Sequence, residues 1–549
     1  MKKIIALLLC VTMISACFYG CSGGDKSVDF IYPFSGKINS FDPQVASTSD
    51  EFLIVENCYE GLVRVLDDGT VQNGVAENWS ISDDGKTYTF NLKKGVKWNV
   101  QSDDPENLTK AQELMGADFN PDVTANDFVF ALQRAVSKET ECPLYSSVSN
   151  IVNAPQIHSG RMSASKLGVK AVDDYTLEIR LSSADDGFMN TLSTAVAMPC
   201  NEEYFYATKG RYGLGLEYTI FNGQFYVSNI LEASYILKNN DLYTGSHPSA
   251  VTDVTLNITD STEDIAKNLK SGYYDAAYIS GKEYEELNSD DITATPYENK
   301  MWALVLNKNK QIFSNSDLRK ALCLSISSPN VEGHSYLQSA SCFTPASCTI
   351  TGKSAPEVLG KTVVSQDAEE AKALWRKGLE DTGYTVADIT LVVNEDMEDT
   401  AKEIVQGIQS GIGSVSSYGD GESVSFSLKI KALNQEDYNT AVSNGDYDLL
   451  LYQFTAGSQN CISYLQSIIN SNIAGELKAA EKTLDKAQSS NASNLAQACA
   501  NVEKAIMKDY SIMPVMFESS YYAQAKGVSG VNFHAGSGRV SFVNATREK

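Results

Sequence analysis

Histidine is nearly missing: four residues in 549, at positions 158, 247, 334 and 534. A set so sparse and scattered excludes a His-rich metal centre, and no metal site is expected. Positive charge is also short. Lys and Arg number 44 against 69 Asp and Glu, for a net charge of −25. With no basic surplus to neutralise phosphates, nucleic acid is not an expected partner. No CxxC spacing occurs among the cysteines, which removes the common zinc and redox motifs. GxSxG, HExxH, a P-loop and a strand-borne GxGxxG are all missing. The chain therefore reads as a binder and not an enzyme, and no cofactor is expected. Beyond Cys21, no apolar run approaches the ~20 residues needed to cross a bilayer.

What is present suits a folded, soluble protein of more than one domain. Hydrophobic residues make up 43% and charged residues 21%, and a 549-residue chain exceeds what one core can organise. Met1 to about Cys21 reads as a targeting segment. Lys2 and Lys3 are followed by the apolar run Ile4 to Ile14, too short for a membrane helix. It ends in Ser15-Ala16-Cys17, which resembles a bacterial lipobox, and that resemblance makes Cys17 the lipidated residue. Cys21, after Phe18-Tyr19-Gly20, is the alternative, and residues 22–28 would be a flexible tether. The remaining cysteines are Cys58, Cys142, Cys200, Cys323, Cys342, Cys348, Cys461 and Cys499. Cys342 and Cys348 are near enough in sequence to pair, and unpaired burial is the equal alternative.

Ala76 to Trp98 reads as an antiparallel hairpin. Asp83-Asp84-Gly85 is a turn, and Tyr88, Phe90 and Leu92 alternate with polar residues. The wording of this stretch resembles the signature segment of the solute-binding proteins of oligopeptide, dipeptide and nickel ABC importers. Other segments resemble that family in the same order. Cys58 to Leu62 is similar to its YE-x-L segment and precedes a turn at Asp67-Asp68-Gly69. Thr124 to Val136 is similar to its capped helix, with Thr124 and Asp127 as a capping box. Asn222 to Phe225 stands where the family has TGPY, and Phe313 to Leu322 resembles a helix entry. Gln101 to Asn120 reads as a surface insertion, loop or short helix.

The resemblance implies an α/β fold of two lobes with a ligand cleft and hinge between them. The first lobe is mixed α+β. It would span 29–295 plus 515–549, with an extra subdomain at about 56–185, and the second lobe would span 296–514. Strands and helices alternate between Trp302 and Phe454, which suggests that the second lobe has a sheet of its own. Crossings near Pro296–Trp302 and Asp509–Phe517 would form the hinge.

Adjacent carboxylates such as Asp83-Asp84 and Asp173-Asp174 serve turns and not paired acid chemistry. What remains is ligand capture by lobe closure. Cleft candidates are Tyr32 and Phe34 after the opening strand, then Asn222, Gly223, Gln224 and Phe225, then Trp302 with Phe454, Thr455, Gly457 and Ser458. Core packing competes as the role of each aromatic, and Trp79, Trp98 and Trp375 are assigned to structure. Peptide-binding relatives carry an acid after the strand equivalent to Asp448–Phe454, which pairs with the peptide amine. Here no acid lies between Asp448 and Glu476. The ligand is then either a peptide held through its backbone and another acid, or a different solute such as a metal chelate or sugar.

These features imply an extracytoplasmic, lipid-anchored receptor of an ABC importer. It would act as a monomer, touch the membrane only through lipid, take a peptide as ligand and deliver it to permease subunits. The rival reading is a sensor or peptide-presenting surface receptor on the same fold.

Overall fold

The computed structural model describes residues 29–66, 70–185, 187–245, 251–259, 262–287, 289–350, 353–419, 421–457, 460–487, 494–534 and 539–548. Cys17, Cys21, the tether 22–28, the turn Asp67-Asp68-Gly69 and Ser458 lie outside the described residues.

The opening strand β1 (Asp29–Phe34) leads to helix Ser49–Cys58. Its start is fixed by a reciprocal cap: Glu51 N–H donates to Thr48 Oγ1 (3.2 Å), and Thr48 N–H donates back to Glu51 Oε2 (3.0 Å). Next, β2 (Ala76–Ile81) and β3 (Thr87–Leu92) form the hairpin read from the sequence, with Trp79 opposite Phe90 and Ile81 opposite Tyr88. Gly85 takes a positive φ of 68° in the turn, a conformation that favours glycine. The inward face is the one the alternation marks, since Tyr88, Phe90 and Leu92 are all buried. The segment after Trp98 contains a full helix, Pro105–Met115. Asp104 caps it and Pro105 occupies its first turn.

Helix Ala125–Val136 carries the capping box of Thr124 and Asp127. Thr124 N–H (2.6 Å) and Oγ1–H (3.0 Å) donate to Asp127 Oδ2, while Trp98 Nε1 (3.3 Å) and Asn201 Nδ2 (3.2 Å) donate to Oδ1. Burial nevertheless dominates and pushes the Asp127 carboxyl up to about 6. Its contribution to stability is therefore full below the ordinary carboxyl pKa of ~3.9 and is lost as pH rises through about 6. The stability of the protein relative to its Asp127→Asn variant should fall by about 2 kcal/mol between pH 4 and pH 7. Urea unfolding at several pH values measures this, and a pH-independent difference would refute it.

Two further strands, β4 (Val169–Asp173) and β5 (Thr176–Arg180), complete a four-stranded antiparallel sheet of order β2-β3-β5-β4. Another four-stranded sheet is made by β6 (Phe225–Ile230), β7 (Ser234–Asn239) and β8 (Asp253–Ile258) with β1. Its order is β1-β8-β7-β6, and β1 runs parallel to β8.

The largest sheet uses β9 (Ala276–Ser280), β10 (Thr293–Leu306), β11 (Val386–Asn394), β12 (Ser425–Leu433), β13 (Leu449–Thr455) and β14 (Ile512–Gln524). Their order is β9-β14-β10-β13-β11-β12, and Leu337–Ser339 adds to β14. This corrects the expectation of a sheet private to the second lobe. β10 and β14 run to 14 and 13 residues, about 45 Å at ~3.3 Å per residue. They are long enough to serve both halves of the molecule.

Two large cores flank this shared ladder. One gathers Phe30, Phe128, Phe225, Tyr297, Tyr522 and Phe542. The other gathers Met301, Trp375, Ile404, Leu450, Ile506 and Phe517. A small third cluster, around Leu269, Ile279 and Tyr521, sits beside β9. Residue by residue, β10 passes from the first core at Tyr297 to the second at Met301. β14 passes back between Phe517 and Tyr522.

The first core also encloses a charge pair. Arg134 donates to both oxygens of Asp42, with Nη1–Oδ1 at 3.0 Å, and Nη1 also reaches Gln44 Oε1 (2.8 Å). The guanidinium lies 4.3 Å from the centre of the Phe205 ring. None of the eight described cysteines is in a disulfide and all are buried, so the Cys342–Cys348 pairing left open by their spacing is not made. Among the described residues, no helix is long and apolar enough to cross a membrane.

Candidate functional site at the waist

The chain's architecture directs attention to the edge where β10 and β14 change cores. β11 runs parallel to both β12 and β13, so their carboxyl ends, at Asn394, Leu433 and Thr455, share one edge. Ligands of open α/β sheets bind outside such ends. β10 is antiparallel to β13 and brings Lys300 opposite Thr455 and Trp302 opposite Gln453. On its other side Lys300 faces Glu518. The pairing of β10 with β14 slips twice, between Glu298 and Lys300 and between Trp302 and Ala303. Such irregularities bend a ladder and weaken it locally.

A polar cluster occupies this point. Lys300 Nζ lies 3.0 Å from Glu518 Oε1, and Trp302 Nε1–H donates to Glu518 Oε2 at 2.6 Å. The side chains of Lys300 and Glu518 keep 21% and 14% exposure, so the pair is open to solvent on one side. Next to it, Ala346 N–H donates to Glu298 Oε1 (2.9 Å), Ser347 N–H to Glu298 O (2.9 Å) and Ala456 N–H to Asn299 O (2.8 Å). Burial pushes the Glu298 carboxyl up. Asn299 Oδ1 and Ser347 Oγ are buried here without a hydrogen-bond partner, which is costly unless something else meets them. Toward the first core the wall is aromatic. Phe533 stacks on Tyr522 at 4.6 Å, with Tyr278 (5.4 Å) and Tyr297 (5.7 Å) set edge-on to it.

The sequence-derived candidates divide between this point and the first core. Trp302, Thr455 and Gly457 stand at the waist, and Thr455 and Gly457 are exposed. Phe454 alternates inward and packs edge-on against Tyr452 at 4.9 Å. Tyr32 and Phe34 are buried in the first core, edge-on to Phe542 (5.3 Å) and Tyr235 (5.1 Å). Burial, aided by Asp50, pushes the Tyr32 hydroxyl above its ordinary value.

Asn222 has both ends of its amide occupied. It accepts from Glu60 N–H (3.1 Å) and donates to Glu60 O (2.9 Å). Gly223 N–H donates to Cys58 O (2.9 Å), and a Cβ there would lie 2.5 Å from the Cys58 carbonyl carbon. Gln224 accepts from Asn240 N–H through its backbone (2.7 Å) while its side-chain Oε1 is buried without a partner. Phe225 is fully buried at the start of β6. The structure thus makes Asn222 to Phe225 a joint between helix Ser49–Cys58 and β6, not a polar surface offered outward.

Sequence reasoning missed Lys300, Glu518, Glu298 and Ser347. Lys300 was within reach, two positions from Trp302 and on the same strand face. Glu518 was not, because 218 residues separate it from Lys300.

Comparison with known proteins agrees with this architecture. The model of the family described as bacterial extracellular solute-binding proteins, family 5 (middle region) matches residues 70–476. A dipeptide-binding protein of Lactococcus lactis subsp. cremoris (strain MG1363) is 24% identical over 97% of this chain and 97% of its own. The oligopeptide-binding protein OppA of Bacillus subtilis (strain 168) is also 24% identical, over 99% of each chain. Among solved structures, the substrate-binding domain of an oligopeptide ABC transporter from Bacillus anthracis str. Ames superposes with a TM-score of 0.71 at 22% identity. That match covers 95% of this chain and 99% of the other.

Proposed function

Since the chain belongs to the bacterial extracellular solute-binding proteins of family 5, we propose that it captures a peptide between its lobes and hands it to the permease of an ABC importer. In this reading residues 29–295 with 515–549 form the first lobe and 296–514 the second. The hinge is the stretch of β10 and β14 where the register slips. Closure is a shift between open and closed states, driven by a ligand that touches both lobes. The protein works outside the cytoplasm as a monomer, held at the membrane through a lipid on Cys17 or Cys21. The observation that carries the reading is a single one. Two separate cores are joined by a ladder that breaks register at the same residues where Lys300, Trp302 and Glu518 gather.

The curated relatives described above are a dipeptide-binding and an oligopeptide-binding protein, which favours a peptide over a metal chelate or sugar. The missing acid of the 454–461 segment is supplied in this proposal by Glu518, one strand away from Lys300 and on the same face of the sheet. An incoming α-ammonium would share that carboxylate with Lys300. Native mass spectrometry of the purified protein identifies the peptide, and calorimetry then compares it with its N-acetylated form. Glu518→Gln should weaken binding of the free-amine peptide by about 10–100-fold, the range of one hydrogen bond to a charged group, and leave the acetylated form nearly unchanged. Equal losses for both forms would remove Glu518 from the amine contact. Failure of every peptide to bind, with a non-peptide mass carried through purification, would overturn the peptide reading itself.

A further inference from the structure

Three thiols meet at one point in the second lobe. The Cys461 thiol lies close enough to Cys348 and Cys499 for both to perturb it, and each of the three is at most 2% exposed. They come from three elements. Cys348 lies in the loop between Cys342 and Thr349. Cys461 opens helix Cys461–Asn470, directly after the waist segment Thr455–Gly457, and Cys499 belongs to helix Leu495–Met507. Cys461 Sγ also approaches Thr349 O at 3.7 Å. The backbones of Thr349 and Asn460, the immediate neighbours of Cys348 and Cys461, form a parallel β-bridge.

The loop that carries Cys348 is a strap. At one end Glu503 holds it from inside the lobe, accepting from Thr344 N–H (2.9 Å) and Thr344 Oγ1–H (2.5 Å). At the other end its Ala346 and Ser347 N–H groups hold Glu298 at the register slip of β10. A covalent link from Cys348 to Cys461 would therefore tie together the two chain segments that border the waist. The link to Cys499 would instead join two helices that already pack.

We propose that Cys348 and Cys461 form a disulfide staple, closed by exchange with a small-molecule disulfide while the second lobe is still open. One cysteine, as its thiolate, attacks the small disulfide, giving a mixed disulfide and releasing one small thiol. The second cysteine, also as thiolate, then displaces the other small thiol. The two protein thiols lose two electrons and two protons, and the small disulfide is reduced to two thiols. Once folded, the pair is protected in either state. Contact with Cys348 first, and burial besides, push the Cys461 thiol well above its ordinary value, and a buried thiol is a poor nucleophile. The staple is thus set during folding and kept afterwards. None of this depends on what the protein binds.

The test is refolding of the full chain from urea with glutathione disulfide, compared with refolding in reduced glutathione alone. Peptide mapping under denaturing, thiol-blocked conditions should find the Cys348 and Cys461 peptides joined after the oxidising refold and separate after the reducing one. The oxidised form should also unfold at a higher temperature. Cys499→Ala should still form the link, as should Cys323→Ala in another part of the same lobe, and Cys461→Ala should not. If Cys461→Ala does not fold, the wild-type map alone decides. Free Cys348 and Cys461 after oxidative refolding, or a Cys461–Cys499 link in their place, overturns the proposal.

Discussion

Arg134→Met should lower the unfolding free energy by about 3–5 kcal/mol, the usual result of removing one partner of a buried pair. The loss comes less from the vanished attraction than from what stays behind. Asp42 is 3% exposed, and in the variant its carboxylate would keep only backbone donors such as Gln44 N–H (3.1 Å). Gln44 Oε1 would lose its 2.8 Å donor as well, although its Nε2 would still hold Met198 O (2.9 Å). The contact of the guanidinium with the Phe205 ring also disappears, and methionine replaces only its apolar part. Urea unfolding should show a lower midpoint at an unchanged slope. Adding Asp42→Asn should cost less than the two single changes summed, because the second removes the charge that the first orphaned. A loss below about 1 kcal/mol for Arg134→Met would place the pair among exposed bridges and contradict its burial.

The second large effect belongs to the other core. Trp375 is fully buried on helix Ala368–Thr382 and meets Phe426 of β12 edge-on, with ring centres 5.8 Å apart. Trp375→Ala leaves a cavity between helix and sheet and should cost about 3–5 kcal/mol. The indole contributes packing alone, since its Nε1–H is buried without a partner. Trp375→Phe keeps most of the volume and removes that unpaired donor, so it should cost no more than about 1.5 kcal/mol. If phenylalanine proves as damaging as alanine, the N–H has a partner that the geometry does not show. Arg134 and Trp375 lie in separate cores, so the losses from Arg134→Met and Trp375→Ala should add within about 0.5 kcal/mol.

What could be read from the sequence was local. The hairpin at Ala76 to Leu92 announces itself through Asp-Gly and strict alternation, and the helix at Ala125 through Thr124 and Asp127. Both signals are complete within a few residues. The helix Pro105–Met115 was harder, because its polar composition masks an amphipathic pattern with only Ala111 buried. The site was least legible. Asn222 and Gln224 have the residue types of a polar pocket, but the partners that occupy Asn222 come from Glu60, 162 residues away. Trp302 was found by its residue type. The carboxylate that its indole meets lies on a strand 216 residues further along the chain, and no periodicity points to it.

The place of β14 in the large sheet also has a consequence in time. It lies between β9 and β10, yet it is the last of the three to be synthesised. Until residues 512–524 are available, β9 and β10 have no strand between them, and each offers an unpaired edge. A chain delivered N-terminus first can build its hairpins and much of both cores early. It cannot seal the ladder that joins them until nearly the whole polypeptide has emerged. The segment that lets the finished protein bend is thus also the one that completes its folding.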